Sequence, residues 1–180
     1  MSTPLRFVLR YDPVFLELGK RLGNDEWGKL TGVSVSAVLS RAEDERELFA
    51  FLITLFGLPS TAVRTDFPAF SRSIFLYGDS ALIAECVVSP DAPLYGRAAA
   101  VSGLLSCSQG CMEFRLGSER ILTAARDESH VFHLSMAEGD GERYRSMDEA
   151  DPRGPVVVSP LSDAAAVAAA GRLLSGGVLP

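Results

Sequence analysis

The sequence predicts an α+β domain: an antiparallel sheet of about five to six strands packed with three to four helices. Three observations lead there. Residues 74–88 are alternating strand-forming runs on either side of Gly78-Asp79, a pair that favours a tight hairpin turn. Residues 112–136 hold further alternating runs separated by polar turns. Residues 41–56 carry a broad apolar face between the start and stop signals of a helix.

Taken in order, the first element is a helix over 12–22. Asp12 suits its N-cap, Pro13 its first position, and Val14, Phe15, Leu18 and Leu22 make one apolar stripe. Gly23-Asn24-Asp25 breaks it. Val33, Val35, Ala37 and Leu39 alternate, which predicts a strand within 30–39. Ser40 and Glu43 have the spacing of a capping box, and Glu43, Asp44 and Glu45 complement the dipole of the helix that follows. Leu48, Phe51, Leu52, Leu55 and Phe56 form its apolar face; Gly57 ends it and Pro59 blocks continuation. Residues 60–72 are expected as a loop or an irregular edge strand, because Pro68 cannot donate within a central ladder.

In the hairpin, Ile74, Leu76, Leu82, Ala84, Cys86 and Val88 are expected to share one face. Pro90-Asp91-Ala92-Pro93 then opens a helix over about 93–108, with Leu94, Ala98, Val101, Leu104 and Leu105 apolar. Gly96, Ala99, Ala100 and Gly103 form its second, small-residue face. An interior glycine disfavours a helix by about 1 kcal/mol relative to alanine, so this face implies a sheet or a second copy packing very close. Met112, Phe114 and Leu116 alternate with Glu113 and Arg115, and strands are expected over 121–125 and 131–136. Gly117-Ser118 and residues 126–129 supply the turns. A polar excursion over about 138–155, a strand-like 156–158 and an alanine-rich helix over 160–174 complete the chain.

The length of 180 residues predicts one α+β domain over 41–180, with residues 1–40 as an N-terminal extension packed on it. An apolar fraction of 47% suffices for a core. The net charge of −6 argues against a nucleic-acid partner, whose phosphates need a basic patch. No apolar stretch reaches the roughly 18 residues of a membrane span, so no membrane insertion is expected. Cys86, Cys107 and Cys111, an odd count behind no secretory signal, predict reduced thiols and a cytoplasmic protein.

No catalytic signature stands out. His130 and His133 are three apart in a strand, point to opposite faces and lack further ligands for a metal. The Cys107-x-x-x-Cys111 spacing matches no zinc pair and is read as buried, inert thiol. Ser80, Ser102, Ser106 and Ser108 lack a nucleophile elbow, and no glycine run fits a phosphate loop. The acidic residues between Glu138 and Asp151, interrupted by arginines, lack calcium-loop periodicity. No catalytic, cofactor or metal residue is therefore assigned, and a non-enzyme without cofactor is expected. What remains is an excess of aromatic residues, part of which is expected to face a protein partner. The candidate interface is Gly96, Ala99, Ala100, Gly103, Phe51, Phe56 and Phe75.

The order of elements from 43 to 174 resembles the class I type III secretion chaperones. Residues 48–59, ending Phe56-Gly57-Leu58-Pro59, are similar to their first helix and its turn. Gly103-Leu104-Leu105-Ser106 is similar to the end of their dimerising helix, and residues 121–136 to their late hairpin. The resemblance implies a non-catalytic, acidic homodimer that holds a secreted effector in a non-globular state by strand addition. The hairpin–helix–strands order also resembles longin and roadblock domains, which implies a scaffold subunit binding a small GTPase or a sister subunit. An unrecognised small enzyme is the remaining alternative.

Overall fold

The computed structural model describes residues 12–23, 25–42, 44–89, 99–116, 120–136 and 163–176. Helix α1 (Pro13–Leu22) leads through a short 3-10 turn into strand β1 (Leu30–Leu39) and helix α2 (Asp44–Phe56). Strands β2 (Thr61–Asp66), β3 (Ser71–Tyr77) and β4 (Ser80–Val88) follow. Next come β5 (Ala99–Cys107), β6 (Gly110–Leu116), β7 (Arg120–Asp127) and β8 (His130–Met136). Helix α3 (Asp163–Leu174) is the last described element.

One eight-stranded sheet has the order β2-β3-β4-β1-β5-β6-β7-β8. It is mixed: β1 pairs parallel with β4 and antiparallel with β5. The segment α2-β2-β3 is the crossover that carries the chain from β1 to its parallel neighbour β4. A parallel neighbour needs such an excursion, whereas β5 to β8 form a simple antiparallel meander.

Alternate residues of β1 and of β3 to β7 bury on one face. Val33, Val35, Ala37 and Leu39 of β1 align with Leu82, Ala84 and Cys86 of β4 and with Val101 and Leu105 of β5. Helix α2 covers this face, with Phe49 edge-on to Phe75 at 5.0 Å. Its Phe51 meets Phe15 of α1 at 4.8 Å between ring centroids, and α3 packs against α2 through Ala166, Ala169 and Ala170. The α1 N-cap is tied to the sheet. Asp12, fully buried, accepts from the Val14 amide at 2.9 Å and from the Arg120 guanidinium of β7 at 3.2 Å.

Several expectations change. The sheet has eight strands and one parallel pair, not five or six antiparallel ones; three helices are described. The expected helix over 93–108 is strand β5 where it is described, from Ala99 to Cys107. Its small residues serve a sheet: a Cβ on Gly103 would lie 2.4 Å from the Phe114 ring of β6, which fills the space. The expected edge strand is β2, at the sheet margin, with Pro68 in the connection that follows it. The hairpin turn lies at Gly78-Asp79 as expected, with Gly78 at φ 63°. Its apolar residues split between faces, however: Ile74 pairs with Ile83 and Phe75 with Leu82, so Ile74 and Leu76 lie opposite Leu82, Ala84 and Cys86. Helix α2 begins at Asp44, and Glu43 of the expected capping box lies outside the described residues. The boundary expected at residue 40 falls just after β1, which the sheet holds between β4 and β5. The polar excursion and the strand-like 156–158 also lie outside the described residues.

Candidate functional site

The second face of the sheet carries no described helix, and its residues line up in rows across the strands. One row reads Val63, Ile74, Ile83, Ser34, Leu104, Glu113, Thr123 and His133 from β2 to β8. The next reads Thr65, Arg72, Glu85, Ser36, Ser102, Arg115, Ile121 and Ser135. Toward the C-terminal end of β1, Val87, Val38 and Ala100 continue the face.

A hollow of about 570 Å³ opens over the second row and the Val87–Val38–Ala100 row. Its volume lies within the range of small-molecule sites. Val38, Val87 and Ala100 supply apolar surface, while Ser36 and Ser102 offer hydroxyls from the two central strands. Arg72 donates to Glu85 at 2.8 Å across the β3–β4 pair, and its guanidinium lies 6.0 Å from the centroid of Phe70. Arg115 donates to Glu113 at 3.0 Å along β6. Both ion pairs are solvent-exposed, so each adds little to stability. Their value here is chemical: fixed donors and acceptors beside an apolar surface, with formal charge cancelled. Among the described residues its lining includes no histidine or cysteine.

Beside the hollow, Val63, Ile74 and Ile83 stand on adjacent strands, with Leu104 two strands further on and Leu76 in the next row. Val63 is 56% exposed and Leu104 49%, so this apolar band faces outward.

The sequence-derived candidates lie elsewhere. Phe51 and Phe75 are buried, and Phe56 is partly buried against the core. Gly103 faces Phe114 on the helix side of β5. Ala99 and Ala100 are in β5, only Ala100 lining the hollow, and Gly96 lies outside the described residues. No single-chain spacing could have found Ser36, Arg72, Glu85, Ser102 and Arg115, since they come from five strands. Only strand register brings them together.

Two other polar groupings are structural. Asp127 accepts from the backbone N–H and Oγ of Ser129 and lies 2.8 Å from Nδ1 of His130, which closes the β7–β8 turn. Those bonds hold its carboxyl well below the usual carboxylate range. Ser129 and Asp127 address the same imidazole nitrogen, whereas a nucleophile triad needs the two on opposite ring nitrogens. His133 bonds Thr123, and no group of three potential metal ligands occurs among the described residues. Cys86 is buried, and desolvation, then the charge of Glu45, pushes its thiol up to about 12. Cys111 is exposed and Cys107 half-buried, against the expectation that both are buried.

No protein-family model matches the sequence, and no curated protein matches it. Solved structures do match in fold. Levoglucosan dehydrogenase in its apo form is 11% identical with a TM-score of 0.63, over 96% of this chain and 62% of that one. Levoglucosan dehydrogenase in complex with NADH is 10% identical with a TM-score of 0.62, over 96% and 61%. An oxidoreductase from Bacillus cereus is 13% identical with a TM-score of 0.58, over 98% and 62%. The chain thus spans about three fifths of the length of these structures.

This fold is shared with oxidoreductases and corrects the resemblance to type III secretion chaperones and to longin or roadblock domains. The segment that resembles a dimerising chaperone helix is the central strand β5. The expectations of a chaperone function and of a non-enzyme fall with it. No described helix is long and apolar enough to cross a membrane.

One matched dehydrogenase is described with NADH, which raises the question whether residues of this chain fit a dinucleotide. They do not. The described β-α turn, from β1 into α2, contains Ser40, Arg41 and Ala42 and no glycine. The N-terminus of α2 is occupied by the chain's own buried Asp44.

Proposed function

We propose that the chain is the sheet module of an oxidoreductase-type enzyme and that its hollow holds a neutral, hydroxyl-bearing small molecule. The remaining alternative from the sequence, an unrecognised enzyme, is the one the shared fold supports. The observation that carries the ligand class is the arrangement of the hollow. Arg72–Glu85 and Arg115–Glu113 present donors and acceptors without net charge, and Val38, Val87 and Ala100 suit the C–H face of a compact ring. An anion would have to compete with Glu85 and Glu113 for the guanidiniums; a polyol need not. The levoglucosan named for the matched dehydrogenase is one such neutral ring and the first compound to try.

The test is calorimetric titration of the whole chain with neutral sugars and anhydrosugars. Ala100→Phe, which fills the hollow, is expected to remove the heat of binding while the circular dichroism spectrum is unchanged. Equal binding by this variant, or binding by none of the panel, contradicts the proposal.

The homodimer expected from the sequence is carried forward on a different surface. The apolar band Val63, Ile74, Ile83 and Leu104 is the surface on which a second copy would pack. Arg72–Glu85 and Arg115–Glu113 are charge-neutral pairs on this face, which limits like-charge repulsion across it.

A further inference from the structure

A dinucleotide's pyrophosphate is normally held at a β-α turn, by amides at the helix N-terminus and glycines that let the backbone approach. The positive end of the helix dipole favours the anion there. In this chain the corresponding turn, from β1 into α2 and back through β2 and β3 to parallel β4, is closed by carboxylates. Asp44 is fully buried at the first position of α2, accepting from the Oγ of Ser40 at 3.2 Å and from the guanidinium of Arg41. Glu45, the next residue, accepts from Arg64 and from Ser71, each at 2.6 Å. Glu47 is a third acid in the same turn.

Helix α1 is closed in the same way. One oxygen of Asp12 takes the Val14 amide and the other takes Arg120, both buried. At either end a pyrophosphate would meet a carboxylate in the place it needs, and evicting a buried, paired carboxylate is costly. The guanidiniums at the hollow do not replace these seats, since Arg72 is held by Glu85 and Arg115 by Glu113. Nowhere in the 180 residues does a Gly-x-Gly-x-x-Gly run occur; Gly139 and Gly141 have the first spacing, but Tyr144 stands at the third position.

We infer that the described residues hold no seat for a nicotinamide dinucleotide. Any hydride transfer in which the chain takes part therefore draws its dinucleotide from protein outside them. Only the second statement rests on the oxidoreductase reading above.

The whole chain is titrated with NADH, NADPH and inorganic pyrophosphate, by calorimetry and by energy transfer from Trp27, its single tryptophan. No saturable signal is expected for any of the three with a Kd tighter than about 1 mM. Saturable binding of either dinucleotide or of pyrophosphate below that value overturns the inference. The sugar titration fails or succeeds separately: its failure removes the proposed function and leaves the dinucleotide result standing. Because the measurement uses the unaltered protein, no loss of folding obscures it.

Discussion

At Gly103 the contact is closer than any side chain permits. A Cβ there would lie 2.4 Å from the Phe114 ring, which is fully buried and has no room to retreat. Gly103→Ala is expected to destabilise by about 1–3 kcal/mol, the usual effect of overpacking, seen as a lower urea midpoint with an unchanged slope. Cys86 gives a second residue-scale prediction. Its raised pKa means that the folded state favours the neutral thiol. The contribution is therefore complete below the unfolded value near 8.5 and is lost as pH rises from there toward about 12. Alkylation at pH 8 is expected to modify exposed Cys111 first and to leave Cys86 intact, as read by peptide mass. Early modification of Cys86 in folded protein would contradict its burial. Sequence alone separated neither case: a glycine between alanines and leucines suits a close helix contact as well as a close strand contact, and a thiol's exposure depends on register.

Among the elements, β5 departs most from what its sequence predicts. Its Ala-Ala-Val-Ser-Gly-Leu-Leu-Ser-Cys sequence has the small residues and leucines of a helix. Yet Val101, Gly103 and Leu105 alternate with Ser102, Leu104 and Ser106, and that alternation was the available signal for a strand. Central position in the sheet, between β1 and β6, overrode helix propensity. The β3–β4 hairpin and α1 were legible because their turn and cap residues act locally: Gly78 supplies the positive φ and Asp12 the cap. What Asp12 also does was not legible, since Arg120 is far away in sequence. That pair fastens α1 to β7 inside the core. Arg120→Met would remove one charged partner of the buried Asp12 carboxylate, and a loss of up to about 3–5 kcal/mol is expected in chemical denaturation. A loss under about 1 kcal/mol would show that other groups hold the carboxylate.

For the molecule as a whole, one face of the sheet is covered by helices and the other is left to solvent among the described residues. The covered face was largely readable, because burial imprints alternation on each strand. The open face was not, because its hollow is assembled across five strands whose order only the parallel β1–β4 crossover establishes. A dimer through that face is expected to show twice the chain's 19.3 kDa mass by light scattering, and Ile83→Glu or Leu104→Lys to return it to the monomer. A monomeric wild type at tens of micromolar, or dimeric variants, would contradict that arrangement. Ligand binding in the hollow is tested most directly by calorimetric titration with levoglucosan and related neutral sugars. The account predicts saturable binding by the wild type and none by folded Ala100→Phe; binding that survives in the filled variant, or is absent from both, would contradict it.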